Sequence, residues 1–353
     1  MSILLPLIAL SFLIFIHEFG HFIGARCFGV KVEAFSIGFG KKIYKKVYRG
    51  TEYCISLIPF GGYVQMKGQD DTDPLKRSLD QDSYNVKATW KRIIILVAGP
   101  LANLLTAFFI YLIIANIGVY KIAPVIGGIK ANSPASVAEL KRGDKIIAID
   151  SKSVVSWGDI LKSVRDSKGE MNFTIQRDGD IVRKNIQPTN MTLKNIYQES
   201  IQEKGIGIYP EEKKVFITYS FVDSIPYAYE QTINASKLIY VSLEKLLTGV
   251  VPLNQLGGVV AIVKISSDTV SYGIVAFLSL IALISVNLGV LNLLPIPALD
   301  GGHILFTLYE MIFRRVPNQK IMHRLTIIGW IFLIALIVFT LFNDVIKIFS
   351  GAL

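Results

Sequence analysis

Four long runs of apolar residues recur along the chain, and each is long enough to cross a lipid bilayer. A membrane-spanning helix needs about 20 mostly apolar residues. The runs cover residues 2–24, 93–118, 274–294 and 325–349. This pattern predicts a polytopic α-helical membrane protein with about four transmembrane helices.

Between the first two runs, residues 30–68 alternate polar and apolar side chains and contain several glycines. Alternation with a period of two is typical of strands, so this segment predicts short β-strands and hairpins that form a membrane-associated sheet. The polar segment that follows, residues 69–85, predicts a surface loop.

The longest polar segment predicts a separate domain. Residues 120–210 contain strand patterns, a short helix beginning at Pro134, and the sequence RDGD (177–180) between two alternating runs. Asp-Gly in this setting is a strong hairpin signal. A segment of about 90 residues suits one compact domain, and we expect one of the α+β class here.

Residues 224–249 place apolar side chains at helical spacing and predict an amphipathic helix at the membrane surface or against the bundle. Residues 250–263 are apolar but contain glycines, and we interpret them as a re-entrant or linker segment. The expected organisation is therefore a first half of the membrane core, an external domain, a helix with a linker, and a second half of the membrane core, at residues 1–118, 119–210, 211–265 and 266–353.

The formal net charge of +10 could indicate binding to nucleic acid, but the distribution of the basic residues argues against it. They cluster at the ends of the apolar runs, where orientation signals of membrane proteins lie. Because positive loops face the cytoplasm, we expect residues 30–68 on the cytoplasmic side, and both termini and the 119–210 domain on the external side. The residues concerned are Lys41, Lys42, Lys45, Lys46, Arg49, Lys91 and Arg92 after the first run, and Arg314, Arg315, Lys320 and Arg324 after the third.

The first apolar run contains three polar side chains in the sequence HEFGH (17–21). His17 and His21 lie four residues apart, so one face of a helix brings both to the same metal ion. Glu18 lies about 100° around the helix from His17, close enough to act as a general base on water. Ionisable groups in a membrane span are costly and indicate function, whereas the alternative is a polar cluster that holds helices together. The pattern predicts a zinc site.

A catalytic zinc ion usually has a third protein ligand. Asp300 lies in NLLPIPALDGGH (292–303), directly after the third run, where Pro295 and Pro297 interrupt helical structure. Irregular backbone at membrane depth lines a cavity or is buried in protein, so we predict Asp300 as the third ligand. A helix-capping role for Asp300, and His303 as a rival ligand, are the alternatives.

HEFGH and NLLPIPALDGGH, in this order and in the first and third runs, resemble the paired motifs of the site-2 protease family of intramembrane zinc metalloproteases. FGGYVQMKG (60–68) and AGPLANLL (98–105) also resemble segments of this family, closest to its bacterial sigma-factor-regulating type. Residues 120–210 resemble the circularly permuted PDZ domain of its external loop. The resemblance covers almost the whole chain.

The resemblance implies a metalloendopeptidase of the bacterial inner membrane that performs regulated intramembrane proteolysis. Its substrates would be single-span membrane proteins, such as anti-sigma factors or remnant signal peptides. The family's residue roles imply that His17, His21 and Asp300 bind Zn²⁺ and that Glu18 is the general base.

The resemblance further implies how substrates bind. Asn287 and Asn292 match asparagines near the bound substrate, although polar contacts between helices would also explain them, as they would Asn103. The sheet after the first run would offer an edge to an unwound substrate, at Tyr63, Val64, Gln65 and Met66. The PDZ-like domain would bind substrate C-termini or exclude bulky substrates, or serve as a spacer. Some members carry two tandem PDZ domains, whereas this chain has room for one.

Two functions of other classes compete with proteolysis. A membrane scaffold could hold partners through the PDZ-like domain, but it has no need for the buried base Glu18. A metal transporter would need polar groups along several spans, and the second and fourth runs carry almost none. We therefore expect an intramembrane zinc protease.

Overall fold

The computed structural model describes residues 4–69 and 78–350. The chain forms two compact units, a membrane unit of residues 1–116 and 220–353 and an inserted unit of residues 117–219. The start of the first predicted span, at residue 2, and residues 70–77 of the predicted surface loop lie outside the described residues.

Four helices of the described residues are long and apolar enough to span a membrane. They are α1 (Leu4–Cys27), α2 (Thr89–Ile117), α7 (Ile274–Asn292) and α9 (Gln319–Phe349). Each coincides with one of the apolar runs. A helix suits a long apolar run because it satisfies all of its own backbone hydrogen bonds in lipid.

A single long hairpin follows α1, in place of the several short strands that the alternation predicts. Strand β1 (Val32–Tyr48) turns at Arg49 and Gly50 into strand β2 (Thr51–Met66). Both turn residues have positive φ, 48° and 75°, as a two-residue hairpin turn with the twist of the strands requires.

Both strands of the hairpin bend, so that one hairpin makes a sheet of four segments. Residues 34–37 of β1 pair with residues 52–55 of β2 on one side and with residues 62–65 on the other. Residues 52–55 pair in turn with the outer half of β1. Residues 62–66 thus form an edge: no strand of the described residues pairs with their other side.

The inserted unit is of mixed α and β structure. Its main sheet has four antiparallel strands in the order β6-β5-β7-β8, and helix α4 (Trp157–Arg165) contributes to the same core. Strand β12 pairs with β3, so the unit extends beyond residue 210. The remaining elements are β3 (Val119–Ile122), β4 (Ile126–Ile129), α3 (Pro134–Val137), β5 (Lys145–Ile149), β6 (Lys152–Ser153), β7 (Met171–Arg177), β8 (Asp180–Ile186), β9 (Thr189–Lys194), β10 (Ser200–Gly205), β11 (Ile208–Pro210) and β12 (Lys214–Ile217).

A buried ion pair fixes one end of the main sheet. Asp144 is 1% exposed and accepts hydrogen bonds from Arg177 Nε at 2.7 Å and from the Lys141 backbone N–H at 2.8 Å. Burial alone would raise the pKa of Asp144, but these hydrogen bonds and the positive charge of Arg177 outweigh it and lower the pKa. The carboxylate is therefore stabilised in its charged form.

The described part of the membrane unit contains three further α-helices: α5 (Phe221–Leu247), α6 (Val259–Ser271) and α8 (Asp300–Phe313). Helix α5 covers the predicted amphipathic segment. Helix α6 begins at Val259, near the end of the segment 250–263 that we interpret as re-entrant or linker, and it continues to Ser271. Its N-terminus is capped by the buried Asp344 of α9, whose carboxylate accepts from the backbone N–H of Gly258 at 2.9 Å and of Ala261 at 3.1 Å.

Candidate metal centre

The structure brings His17, His21 and Asp300 together. The Nε2 atoms of His17 and His21 are 3.2 Å apart. Oδ2 of Asp300 lies 3.1 Å from Nε2 of His17, and its Oδ1 lies 3.3 Å from Nε2 of His21. Both histidines are largely buried, at 8% and 5% exposure.

This arrangement fits a tetrahedral zinc ion. With bonds of about 2.0–2.1 Å, the ligand atoms of a tetrahedral site stand about 3.4 Å from one another. The separation of the two histidine nitrogens, and the distance from each nitrogen to one of the two oxygens of Asp300, are close to this value. Oδ2 of Asp300 is buried and accepts no hydrogen bond from any described residue, although a histidine nitrogen lies 3.1 Å away. A cation shared by the three side chains satisfies such an atom.

Close packing of α1 against α2 makes room for the histidines. A Cβ on Gly20 would overlap the carbonyl oxygen of Ala98, and one on Gly24 would lie 3.2 Å from Ile95 Cα. A Cβ on Gly99 would overlap Nε2 of His21 and lie 2.6 Å from its Cε1. These glycines let the two helices approach until the His21 ring rests on the backbone of α2.

Helix α2 also contacts the outer nitrogen of each histidine ring. Nδ1 of His21 lies 2.9 Å from the Ile95 carbonyl oxygen, and Nδ1 of His17 lies 3.3 Å from Nδ2 of Asn103. Histidines that bind metals are usually oriented by such contacts on the nitrogen that faces away from the ion.

Asp300 is the first residue of α8. Only glycine fits at residues 301 and 302, because the first turn of α8 packs directly on the irregular backbone that precedes it. A Cβ on Gly301 would overlap the carbonyl oxygens of Leu293 and Leu294, and one on Gly302 would lie 2.7 Å from Pro297 Cα. Ala298 has a φ of 106°, which is costly for a residue with a Cβ and marks a backbone under constraint next to the acid.

The fourth apolar helix supports the same segment. Gly329 of α9 faces the Pro297 carbonyl so closely that a Cβ there would overlap it. The sequence indicated no role for α9 in the site. Its signal, one glycine in an apolar helix, is too common in membrane helices to identify a contact.

A cavity of about 300 Å³ opens beside the three side chains. Its described lining is apolar apart from the candidate ligands, Glu18 and a few uncharged polar groups, and it contains no lysine or arginine. The lining residues are Ile14, His17, Glu18, His21, Phe39, Gly62, Tyr63, Val64, Met66, Gln69, Leu96, Asn103, Leu288, Asn292, Ala298, Leu299, Asp300 and Trp330.

Glu18 connects this cavity to the edge of the hairpin. Its Oε2 accepts a hydrogen bond of 3.0 Å from the backbone N–H of Val64. The acid thus lies between the candidate metal ligands and the edge formed by residues 62–66.

The predicted substrate-binding residues divide into two groups. Asn292, Tyr63, Val64 and Met66 line the cavity, and Nδ2 of Asn292 lies 3.3 Å from Nε2 of His17. Asn287 and Gln65 do not line it: Asn287 is half-buried in α7 and Gln65 is exposed. His303 is half-buried in α8 and is not part of the cluster of candidate ligands.

Residues 6–336 match the profile of peptidase family M50. The chain belongs to peptidase family M50. A protein of Campylobacter jejuni with the provisional name of a zinc metalloprotease is 41% identical over 345 residues, which cover 98% of this chain and 93% of that protein. Family membership establishes a peptidase and thus excludes the scaffold and the transporter as its primary function.

A second relative of this M50 peptidase has a more specific name. The regulator of sigma-E protease RseP of Escherichia coli is 32% identical, over 96% of this chain and 97% of that protein. The alignment extends over 437 positions, so the Escherichia coli protein contains residues with no counterpart in this 353-residue chain.

Among solved structures, the PDZ domain of the SdrC-like protein of Listeria innocua is similar to part of this M50 peptidase. It covers 26% of this chain and 96% of its own, with 19% sequence identity and a TM-score of 0.21. At this score the similarity carries no argument about the inserted unit.

Proposed function

We propose that this M50 peptidase is a zinc-dependent intramembrane protease that hydrolyses peptide bonds in or near the transmembrane segments of single-span membrane proteins. The observation that carries the proposal is the meeting of His17, His21 and Asp300 at separations that suit one zinc ion. Both histidines lie on α1, which is long and apolar enough to span a membrane. The names of the relatives as zinc metalloproteases support the choice of metal.

Bound zinc supplies a Lewis acid that activates water and polarises the scissile carbonyl group. His17, His21 and Asp300 would hold the ion beside the cavity. Glu18 takes the proton of the attacking water and passes it to the leaving amine. Its bond to the Val64 N–H supports this role, because it fixes the carboxylate beside the cavity.

Asn292 is placed to donate a hydrogen bond to the substrate. Its Nδ2 lies among the polar atoms of the site, 3.3 Å from Nε2 of His17, so an amide hydrogen is available where the carbonyl oxygen of the scissile bond develops negative charge. We assign Asn287 to a contact further along the substrate or between helices, since it does not line the cavity.

The substrate binds as an added strand at the edge of the hairpin formed by residues 62–66. A transmembrane helix must unwind locally before it is cleaved, and each unpaired backbone group in lipid costs several kcal/mol. An edge strand supplies partners for these groups. The position of this edge beside Glu18 supports the assignment of Tyr63, Val64, Gln65 and Met66 as its parts.

Val64→Pro should reduce cleavage of a transmembrane substrate by about tenfold or more, while Val64→Ala should have little effect. Proline removes the N–H that points to the cavity and alanine keeps it. Cleavage rates and bound zinc are measured for both variants in detergent. Zinc content should be that of the wild type in each. Equal rates for the proline and alanine variants would exclude strand addition at this residue.

We assign the enzyme to the bacterial inner membrane, with the hairpin on the cytoplasmic side and both termini and the inserted unit on the external side. The clustered basic residues of the hairpin and of the segment between α8 and α9 support this orientation. The resemblance of the paired motifs to the site-2 protease family implies anti-sigma factors or remnant signal peptides as substrates, and the Escherichia coli relative is named a regulator of sigma-E protease.

The inserted unit acts on substrates before they reach the site, by binding their C-termini or by excluding bulky external domains. The resemblance of residues 120–210 to a PDZ domain supports this role, and the size of the unit suits one such domain. The longer alignment with the Escherichia coli relative supports a single domain in this chain in place of a tandem pair.

Removing the metal should abolish activity reversibly. A purified preparation that cleaves a single-span reporter should stop doing so after treatment with a strong chelator. A stoichiometric amount of Zn²⁺ should restore cleavage, and Mg²⁺ should not, because nitrogen ligands select zinc. Cleavage that persists after the protein is shown to be free of metal would refute the proposed function.

A further inference from the structure

Asn103 is completely buried in α2 and lines the cavity beside the candidate metal centre. Its Nδ2 lies 3.3 Å from Nδ1 of His17, whereas its Oδ1 is buried and has no hydrogen-bond partner within residues 4–69 and 78–350. Its backbone carbonyl accepts a 2.8 Å hydrogen bond from Ser285 of α7, which fixes the residue between two helices. A buried amide with one unsatisfied end requires an explanation.

The partner of each histidine decides which ring nitrogen is free to bind a metal. A neutral imidazole carries hydrogen on one nitrogen and a lone pair on the other. Nδ1 of His21 faces the Ile95 carbonyl oxygen at 2.9 Å, and a carbonyl can only accept. Nδ1 of His21 therefore carries the hydrogen, and the lone pair of Nε2 points to the centre.

His17 needs the same tautomer to bind a metal through Nε2, which is the nitrogen that faces Asp300 and His21. As placed, the amide of Asn103 donates to Nδ1 of His17 and thus favours hydrogen on Nε2. A hydrogen on Nε2 would take the place of the lone pair that binds a metal. A 180° rotation of the amide, which barely changes its shape, presents Oδ1 to Nδ1 and reverses the preference.

We propose that Asn103 is a positioning residue that holds His17 in its metal-binding tautomer, by accepting a hydrogen bond from Nδ1–H through Oδ1. The inference rests on the proposed zinc centre. Both orientations of the Asn103 amide make one hydrogen bond to His17. Whether a metal is bound therefore decides which orientation the amide takes. With the metal bound, Oδ1 accepts; without it, Nδ2 donates. An asparagine can serve both tautomers, whereas a carboxylate can serve only the metal-binding one.

The test compares the affinity of the full-length protein in detergent for Zn²⁺, measured by competition with a chelator. Asn103→Leu keeps the size of the side chain but can neither accept nor donate, and it should weaken zinc binding by about 10–100-fold. Asn103→Asp keeps the acceptor and should bind zinc within about threefold of the wild type or more tightly. An equal loss in both variants would show that the amide acts as a donor and would overturn the proposal, as would wild-type affinity in Asn103→Leu.

Asn116 provides the matched control, since it is an exposed asparagine on the same helix whose side chain bonds to the Leu112 carbonyl. Asn116→Leu and Asn116→Asp should leave zinc affinity unchanged. If wild-type protein fails to bind zinc, the proposed function fails together with this inference. If the wild type binds zinc and all four variants bind it equally, only the role of Asn103 is refuted.

A measurement on the unmodified protein covers the case in which Asn103 variants fail to fold. Nitrogen-15 NMR of histidine-labelled, zinc-loaded protein, with His17 assigned by comparison with a His17→Gln variant, should show a protonated Nδ1 and a metal-bound Nε2 for His17. A His17 ring with an unprotonated Nδ1 in the zinc-loaded protein would overturn the proposal.

Discussion

Glu18→Gln is expected to abolish cleavage of a transmembrane reporter and to leave bound zinc unchanged. Glutamine has the shape of glutamate, and its amide oxygen can still accept the hydrogen bond from the Val64 N–H that holds Glu18 in place. It cannot take a proton from water. Loss of a general base lowers rates by about 100- to 10,000-fold, and such a loss should appear in kcat with little change in KM.

Zinc content and single-turnover cleavage of the same preparations provide the measurement. Glu33→Gln is the control, because Glu33 is an exposed residue of β1 and this change removes the same charge away from the cavity. A Glu18→Gln enzyme that keeps more than about a tenth of the wild-type rate would contradict the role of Glu18 as a base. Loss of zinc in the variant would instead assign Glu18 to the binding of the metal.

Gly99→Ala is expected to remove zinc from the protein. A Cβ at this position would overlap Nε2 of His21, the atom that faces the metal centre. His21 cannot retreat without losing its contact with the Ile95 carbonyl. Losing the contacts that only orient a ligand costs about 10–100-fold in metal affinity, so displacement of the ligand itself should cost more than about 100-fold.

Helix propensity alone predicts no loss of stability for this variant, because alanine is better than glycine inside a helix by about 1 kcal/mol. A loss of zinc affinity would therefore come from the displaced His21 ring and not from a weakened helix. Zinc affinity and thermal unfolding are measured together. Gly158→Ala is the control, since its Cβ meets only Ser156 Oγ at 3.7 Å. Full zinc affinity in Gly99→Ala would show that His21 does not bind the metal as we propose.

The membrane helices could be predicted from the sequence because their signal is local. Twenty apolar residues in a row have few alternatives to a membrane helix, and α7 begins at Ile274, the residue that starts the third run. Helix α6 could not be predicted in the same way. Its N-terminus is capped by Asp344, more than 80 residues away, and its own sequence offers only a glycine at that position.

The candidate metal ligands could also be predicted from the sequence, the histidines for one reason and Asp300 for another. His17 and His21 follow from the spacing of a helix, which is a local rule. Asp300 follows from its place in an interrupted apolar segment and from the family's paired motifs. The shape of their surroundings could not be predicted. That Gly99 accommodates His21 and that Gly329 faces Pro297 depends on which helices meet, and a lone glycine in an apolar helix has many possible reasons.

The length and the bends of the hairpin could not be predicted from the sequence. Alternation predicted strands between residues 30 and 68, but the strands are 17 and 16 residues long and bend into four paired segments. Glycines that suggested ends of strands lie within them: Gly38 and Gly40 have φ values of 87° and 86° inside β1. Glycine permits a sharp change of direction without ending the strand, and pattern alone does not separate a bend from a turn.

The hydrogen bond between Val64 and Glu18 has a consequence for the enzyme at rest. A backbone amide has one hydrogen to donate, so Val64 cannot serve both Glu18 and an incoming chain. A polypeptide that pairs with the Val64 N–H would have to take this hydrogen from Glu18, so the bond that holds the carboxylate beside the cavity belongs to the enzyme without substrate. Binding of a chain would thereby free the carboxylate to contact water.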